Sequence, residues 1–254
     1  MQRHSHYFFL CLEKVKADLL SEIRSGYFGI LWWVIEPLMY MAVFYIVFEF
    51  IFYKGDENRI AFLLIGLVIW KWFASTVSRS SNCIAVNMGL INKVYIPKII
   101  FPVIVLITNT IKFIIIFILL IGILLFSGIE ITKVWISIPL LLFIQLFFIF
   151  AVGSFFSAFV PFLPDLKLII DNALMLLFFL SGIFFDINAA SPPLKSYLFL
   201  NPIAGLIDNY RKVILHGIWP DWSYLQILFY FSIVMILACV FLLKRYDREY
   251  PKIL

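Results

Sequence analysis

Charged residues are scarce in this sequence: they make up 14% of its 254 residues, whereas hydrophobic residues make up 64%. A soluble domain carries about 25% charged residues and roughly 45–50% apolar ones. So few charges could not cover an apolar core of this size in water, which excludes a soluble domain. Apolar stretches longer than about 18 residues and with almost no charge recur instead, and each is long enough to cross a hydrocarbon layer of about 30 Å.

Cysteine is also rare, and the common catalytic motifs are missing. Cys11, Cys83 and Cys239 lie far apart, form no metal-ligand spacing and, being odd in number, do not indicate a disulfide framework. The sequence has no G-x-x-x-x-G-K-[ST] phosphate loop, so we expect no ATP hydrolysis by this chain. Its three histidines have no Ser-His-Asp order, H-E-x-x-H motif or paired Asp nearby, and we interpret Asp165 and Asp171 as charges near a helix start. We therefore expect no catalytic site.

The apolar stretches predict an all-α, polytopic membrane protein with about six transmembrane helices. The predicted spans are residues 30–52, 60–77, 103–126, 134–160, 166–185 and 224–243. Lys and Arg are scattered at the ends of these spans without a basic face, so nucleic acid is not an expected partner. With the N-terminus inside, the inner segments hold more basic residues than the outer ones, which predicts that both termini are cytoplasmic.

Residues 1–29 form a separate unit before the transmembrane domain, which we assign to residues 30–254. Apolar residues recur in this unit at helical spacing, namely Phe8, Leu12, Val15, Leu19 and Ile23. Charged residues fill the other face, and they argue against a cleavable signal peptide. The pattern predicts an amphipathic helix lying in the membrane surface. A helix packed on a cytoplasmic partner is the alternative.

The outer segment 186–222 is predicted to be more than a loop. Asn201 followed by Pro202 is typical of a helix cap with proline at the first helical position. The apolar run from Pro202 to Leu215 would form a helix of about 21 Å, too short to span a membrane. We predict two short re-entrant helices that form an outer gate, since such helices need protein or water around them. A cap lying flat on the outer surface is the alternative.

Charged residues within or near the predicted spans are functional candidates, because burying such a group costs about 2.5–3.5 kcal/mol at a helix centre. These residues are Glu36, Lys71, Lys112 and Asp171. Lys112 lies deepest, and we predict that it faces a channel or a second copy of the chain. Snorkelling to the surface is the alternative, and it suits Lys71 better. In the outer segment, Asp208 has the helical spacing to pair with Arg211 or Lys212.

Aromatic residues make up 19% of the sequence and include two clusters inside spans. Tyr40, Phe44, Tyr45 and Phe48 lie in the first span, and Trp70, Trp72 and Phe73 lie in the second. Anchoring of Trp and Tyr at membrane interfaces explains many other aromatic residues but explains these clusters less well. Aromatic planes bind the apolar C–H faces of sugars without requiring one hydrogen-bond pattern, which suits a sliding polymer. We predict that some of these residues, with Lys112, line a glycan channel.

Short motifs along nearly the whole chain resemble those of a known family. Residues 25–32 read S-G-Y-F-G-I-L-W, residues 36–38 read E-P-L, and residues 87–97 fit N-x-x-L-I-x-K-V-x-x-P. The later matches are Pro164-Asp165-Leu166, Ser181-Gly182-Ile183, Asn201-Pro202 and Arg211, with Pro164 and Gly182 replacing the family's Arg and Pro. Together they resemble the permease subunit of type-2 ATP-binding-cassette exporters of bacterial polysaccharides.

The resemblance implies a homodimeric permease with two copies of a separate ATPase, which would bind the ATP and Mg²⁺, while this chain holds no cofactor. Lipid-linked polysaccharide would cross the bacterial inner membrane between the two copies, which membrane lipids surround; O-antigen is favoured over capsule or teichoic acid. Residues 82–98, a polar and basic stretch between the second and third spans, are predicted to include a short helix that docks on the ATPase. The candidate residues for this coupling are Asn87, Leu90, Asn92, Lys93 and Pro97. Those of the outer gate are Asn201, Pro202, Asp208 and Arg211. An ion-coupled secondary transporter, which would normally show an inverted repeat, and a membrane-embedded glycan-modifying enzyme are the alternatives.

Overall fold

The computed structural model describes residues 2–24, 29–46, 58–247 and 249–252. These residues form ten α-helices with short 3-10 turns, and no β-strand occurs among them. The predicted all-α class of a polytopic membrane protein is therefore confirmed.

The helices are, in chain order, α1 (Gln2–Arg24), α2 (Trp32–Ile46), α3 (Arg59–Val86), α4 (Met88–Ile91), α5 (Ile100–Phe126), α6 (Ile138–Phe159), α7 (Asp165–Leu180), α8 (Pro192–Leu198), α9 (Pro202–Ile214) and α10 (Trp222–Arg245). The 3-10 turns are Gly29–Leu31, Lys133–Ser137, Ile187–Ala189 and Tyr250–Lys252.

Four helical segments in the described part of the chain are long and apolar enough to cross a membrane. They are Arg59–Val86, Ile100–Phe126, Lys133–Phe159 and Trp222–Arg245, and they match the second, third, fourth and sixth predicted spans. The first predicted span contains α2, but its residues 47–52 lie outside the described residues. The fifth contains α7, whose 16 residues give about 24 Å of helix, less than the hydrocarbon layer. The total of six spans stays a prediction.

Helix α3 is longer than its predicted span, which ended at residue 77. It continues to Val86 because small polar residues let it pack tightly on α6. Ser80 is buried, and a Cβ added to Gly153 of α6 would lie 2.8 Å from the Cβ of Ser80. Ser81 donates a hydrogen bond to the carbonyl of Ser78 at 2.8 Å, so its hydroxyl is satisfied within the helix. The polar composition of this stretch therefore does not end the helix.

The core forms around α3, which packs against α5, α6, α7 and α9. Its most buried apolar side chains include Ile65, Ile69, Leu120, Leu141 and Ile149. Because α3, α5, α6, α7 and α10 run side by side, the bundle has two ends. One end carries α4 and the C-terminal 3-10 turn, and we call it the α4 end. The other carries α8 and α9, and we call it the α9 end.

Helix α1 packs along α5 instead of standing apart from the bundle. Val15 is buried, as predicted for the apolar face, but Leu12 remains 43% exposed. Glu22, which the helical spacing places on the charged face, contacts Arg79 of α3 and Lys112 of α5. The charged face of α1 is therefore not wholly turned to solvent, because two basic side chains of the bundle attract the carboxylate of Glu22.

Candidate functional site

A cavity of about 360 Å³ lies between α1, α2, α3 and α5. This volume falls within the range of about 300–1,000 Å³ that is usual for binding pockets. We call it the aromatic cavity, because its lining includes Trp32, Trp33, Tyr40, Trp72 and Phe113.

The aromatic side chains of the cavity come from three helices. Trp72 of α3 stacks on Phe113 of α5, with ring centroids 4.0 Å apart and ring planes 11° apart. Both residues are buried, so this stack forms a fixed wall. On α2, Trp32 and Tyr40 are 50% and 46% exposed. The cavity thus has one rigid aromatic wall and one wall whose aromatic rings are accessible.

Two hydrogen-bond donors in the cavity lining have no acceptor among the described residues. They are Nδ2 of Asn109 and Nε1 of Trp72, and the two residues are 5% and 4% exposed. Buried donors normally have a partner, and leaving one unpaired costs about 1–3 kcal/mol. Both atoms are covered by neighbouring side chains, so they contribute to the polarity of the cavity wall without being open to the cavity itself.

Glu22 holds together the charged side of the cavity. Its carboxylate accepts a 2.5 Å hydrogen bond from Nη1 of Arg79 and forms an ion pair with Nζ of Lys112. Partial burial of Glu22 raises its pKa, but the hydrogen bond from Lys112 and the neighbouring Arg79 outweigh this effect and hold the pKa below its ordinary value. Two cations facing one acid leave this side of the cavity with a positive excess.

Lys112 lies between this acid and an aromatic ring. Its Nζ is 5.6 Å from the ring centroid of Trp33, within cation–π distance. Lys71, which also lines the cavity, has its Nζ 4.8 Å from the ring centroid of Tyr40. The expectation that Lys112 faces protein or water instead of lipid agrees with these contacts. Its partners include α1, which the sequence did not suggest.

The predicted channel residues separate into three groups. Tyr40, Trp72 and Lys112 line the aromatic cavity. Trp70 and Phe73 are correctly placed in the second span but lie in the packed core: their ring centroids are 5.5 Å apart, and Phe73 stacks on Phe148 of α6 at 5.6 Å. They form a wall of the bundle and not of this cavity. The side chains of Phe44 and Tyr45, and the whole of Phe48, lie outside the described residues, as does the side chain of Glu36.

Sequence reasoning missed the roles of Trp33, Asn109 and Glu22. One feature of the sequence could have indicated the role of an acid in α1: a lysine deep within a span, such as Lys112, requires an acidic partner. It could not select Glu22, because α1 contains several acidic residues at similar spacing.

The inner segment between α3 and α5, residues 87–99, contains the predicted short helix, α4. Leu90, Asn92 and Lys93 are exposed, together with the apolar Val94 and Tyr95. The remaining two predicted coupling residues are half-buried. Asn87 donates to the carbonyl of Cys83 at 2.7 Å and thereby caps the end of α3, and Pro97 lies before the start of α5. The exposed patch of this segment is the part that can contact a partner.

The outer segment contains the two predicted short helices, α8 and α9. The side chain of Asn201 accepts a hydrogen bond from the backbone N–H of Ile203 at 3.2 Å, and Pro202 begins α9, as the sequence predicted. Most of α9 is buried, and it packs against α3 and α6. Helix α9 thus has protein around most of its surface, as a re-entrant helix requires, and the choice between a re-entrant helix and a flat cap stays a prediction.

The predicted ion pair in α9 forms with Lys212 and not with Arg211. Asp208 lies 2.8 Å from Nζ of Lys212 and accepts a 2.7 Å hydrogen bond from Asn188. The guanidinium of Arg211 has backbone partners instead. It donates to the carbonyls of Phe62, Gly182 and Ile183 at 2.7–3.1 Å, and the guanidinium carbon lies 3.3 Å from the ring centroid of Phe62. Arg211 thus connects α9 to α3 and to the turn after α7.

The apolar helical bundle and its ligand-sized internal cavity define a polytopic membrane transport protein. Residues 11–215 match the family described as "ABC-2 type transporter". The chain belongs to that family, which confirms the resemblance drawn from its short motifs.

Several relatives match this chain over nearly its whole length. An O-antigen export system permease protein, RfbA, of Klebsiella pneumoniae is 24% identical over 250 residues, 98% of this chain and 96% of the relative. RfbA of Myxococcus xanthus is 25% identical over 245 residues, 96% of this chain and 94% of the relative. The polysialic acid transport protein KpsM of Escherichia coli is 26% identical over 228 residues, 87% and 88% of the two chains.

Proposed function

We propose that this chain is the membrane-spanning permease subunit of an ATP-driven exporter. It would move lipid-linked polysaccharide from the cytoplasmic to the outer side of the bacterial inner membrane. Membership of the ABC-2 type transporter family supports transport, and the relatives named for O-antigen export favour O-antigen over capsular polysaccharide as the cargo. The observation that supports a glycan as the cargo is the chemistry of the aromatic cavity.

A sugar fits the two unusual features of this cavity. Its C–H faces can lie against the rings of Trp33 and Tyr40, and its oxygens can accept from the cationic groups of Arg79 and Lys112 on the charged side. An apolar ligand would cover the cationic groups of Arg79 and Lys112 without offering them an acceptor. A small inorganic cation would face Arg79 and Lys112. These properties favour an oxygen-rich organic ligand over the ions that a secondary transporter would couple.

The cavity is too small to hold more than a short part of a polymer. At about 360 Å³ it is comparable to a pocket for one small molecule. We therefore place the main translocation path between two copies of the chain, because closed two-fold symmetry is the commonest arrangement of such assemblies.

The exposed face of α7 supports a second copy as its neighbour. Ile170 and Leu174 bury one side of this helix, while the opposite side exposes residues such as Ile169 and Phe179. Asp171 is 43% exposed by side chain and forms an ion pair with Lys167. A short helix that carries a partly exposed carboxylate is poorly suited to face lipid, where charged groups are costly. Contact with the same helix of a second copy would shield that group.

The inner segment supports a separate ATPase as the partner. Leu90, Val94 and Tyr95 form an exposed apolar patch next to Asn92 and Lys93. The patch lies at the α4 end, where α10 ends in Lys244 and Arg245. Basic residues collect on the cytoplasmic side of membrane proteins, so we assign the α4 end and both termini to the cytoplasm. ATP and Mg²⁺ would bind to the ATPase, in two copies for a homodimeric permease.

The proposal is tested by reconstitution. The permease is co-expressed with an ATPase encoded beside it, purified and placed in liposomes, and ATP-dependent movement of lipid-linked glycan is measured. Trp33→Leu should lower export, because it removes a ring from the cavity, while Trp219→Leu, at an exposed tryptophan after α9, should leave it unchanged. Export without any ATPase, or equal export by both variants, would contradict the proposal.

ATPase docking is tested by cross-linking. Asn92→Cys is introduced into a chain whose three native cysteines are replaced by serine, with Leu163→Cys as the control. Leu163 is 60% exposed and lies between α6 and α7 at the same end of the bundle. We expect Asn92→Cys to cross-link to the ATPase and Leu163→Cys to react less. The reverse order would move the docking site away from the inner segment.

A further inference from the structure

The described part of the C-terminal tail, residues 246–247 and 249–252, folds back onto the inner segment. After α10 ends, Glu249 N–H donates to the carbonyl of Tyr246 at 2.9 Å, which turns the chain. The 3-10 turn Tyr250–Lys252 then contacts α4. We call these residues the tail.

One contact of the tail is a buried ion pair. Asp247 lies 2.7 Å from Nζ of Lys98, which precedes α5, and the side chains are 26% and 3% exposed. A charge that has been removed from water in this way depends strongly on its partner, so losing one member leaves the other unstable. Asp247 therefore fixes Lys98, and with it the C-terminal end of the inner segment.

A second contact is made by Tyr250, which is 1% exposed. Its hydroxyl donates to the carbonyl of Ala158, near the end of α6, at 2.9 Å. It also belongs to an apolar cluster with Met88, Ile91 and Ile96 of the inner segment. Tyr250 thus joins α6 to the buried side of α4.

The inner segment cannot be rigid by itself. Helix α4 has four residues, about one turn, and helices this short are not stable in isolation. The following residues, 92–99, contain no α-helix. The solvent-exposed residues of this segment can transmit a force to α5 only if the opposite, buried side of the segment is held in place.

We propose that the tail braces the inner segment, and that Asp247 and Tyr250 are positioning residues for coupling between the ATPase and the transmembrane helices. Motion of the ATPase against Leu90 and Asn92 passes to α5 through Lys98, and the tail prevents the segment from yielding. This proposal rests on the proposed docking of the ATPase at the inner segment.

The test separates coupling from folding. The purified complex with wild-type permease is compared with complexes that carry Asp247→Asn or Tyr250→Phe, and with the exchanged pair Lys98→Asp/Asp247→Lys. Lys252→Ala is the matched control, because Lys252 lies in the same tail but pairs with Glu249 at an exposed position. The amount of ATPase that co-purifies and the glycan exported per ATP hydrolysed are measured.

We expect the ATPase to co-purify with every variant. The glycan exported per ATP should fall roughly fivefold for Asp247→Asn, within the range usual for coupling residues, and less for Tyr250→Phe. The exchanged pair should regain most of the loss, and Lys252→Ala should equal wild type.

An unchanged ratio for both single variants, or an equal loss in Lys252→Ala, would overturn the brace. If Asp247→Asn fails to insert into the membrane, Tyr250→Phe, which removes only one hydroxyl, is the variant that tests the proposal. The measurement is again the glycan exported per ATP hydrolysed. Failure of the wild-type chain to bind any ATPase would instead reject the proposed function.

Discussion

Gly66 of α3 leaves the space that the guanidinium of Arg211 occupies. A Cβ built on Gly66 would lie 2.6 Å from Nη2 of Arg211 and 3.5 Å from the Cα of Ile183. Arg211 cannot move aside without cost, because it donates to three backbone carbonyls. The absence of a side chain at residue 66 therefore allows α9 to be fixed against α3.

Gly66→Ala should destabilise the chain by about 1–3 kcal/mol, the usual cost of overpacking a core. The measurement is the midpoint of thermal unfolding in detergent, followed by size-exclusion chromatography. Gly122→Ala in α5 is the control, because a Cβ there meets nothing within 4 Å. It should be neutral or stabilising by up to about 1 kcal/mol, since alanine favours a helix more than glycine does. Equal midpoints for the two variants would contradict the assigned contact.

Arg211→Ala should lower stability by about 2–4 kcal/mol, because it leaves buried carbonyls without their donor. Arg211→Lys should not restore it, since a lysine lacks the planar fork that reaches the carbonyls of both Phe62 and Gly182. Lys212→Ala removes the pair with the carboxylate of Asp208 but leaves the hydrogen bond from Asn188 to that carboxylate, so it should cost less than Arg211→Ala. The measurement is the yield and unfolding midpoint of the inserted protein. Export should fall with Arg211→Ala because α9 loosens, and normal export by this variant would reject a gating role for this helix.

Glu22→Gln should loosen α1 from the bundle, because it removes the charge that faces Arg79 and Lys112. The folded-state pKa of Glu22 lies below its ordinary value, so its contribution to stability is present above that ordinary value and is lost as the pH falls through the folded pKa. Hydrogen exchange of α1, corrected for the intrinsic effect of pH, should show this step in wild type. The step should be absent in Glu22→Gln and retained in Glu13→Gln, whose glutamate is exposed on the same helix. A step that persists in Glu22→Gln would assign it to another group.

Asn109→Leu should reduce export without reducing stability. The Nδ2 donor of Asn109 has no acceptor among the described residues, so an apolar side chain of similar size should be neutral or stabilising for the fold. Asn109 also lines the cavity, so replacing its polar amide by an apolar group should weaken glycan binding about tenfold. Gln145→Leu is the comparison, since Nε2 of Gln145 donates to the carbonyl of Ile69 at 3.1 Å and its loss should destabilise the bundle. Glycan-stimulated ATPase activity and the unfolding midpoint are measured together, and a drop in stability alone for Asn109→Leu would contradict a binding role.

The aromatic cluster of the second span shows what a local sequence pattern can predict and what it cannot. Trp70 and Trp72 belong to one predicted cluster, but residues two apart on a helix point about 200° away from each other. Trp72 therefore faces α5 and the cavity, whereas Trp70 packs on Phe73 and on Phe178 of α7. Sequence could identify the cluster but could not assign its two sides to cavity and core, because this depends on which helices pack on each face of α3.

The sequence by itself determined the apolar helices, the short helix of the inner segment and the cap at Asn201, because length, composition and capping depend on neighbouring residues along the chain. Tertiary structure decided which acid meets Lys112 and why Arg211 does not pair with Asp208. The former contact joins residues of α1 and α5, and the latter reflects three carbonyls from α3 and the turn after α7 that compete for the guanidinium. Such contacts depend on which faces of distant helices meet, and helical spacing within one segment does not contain that information.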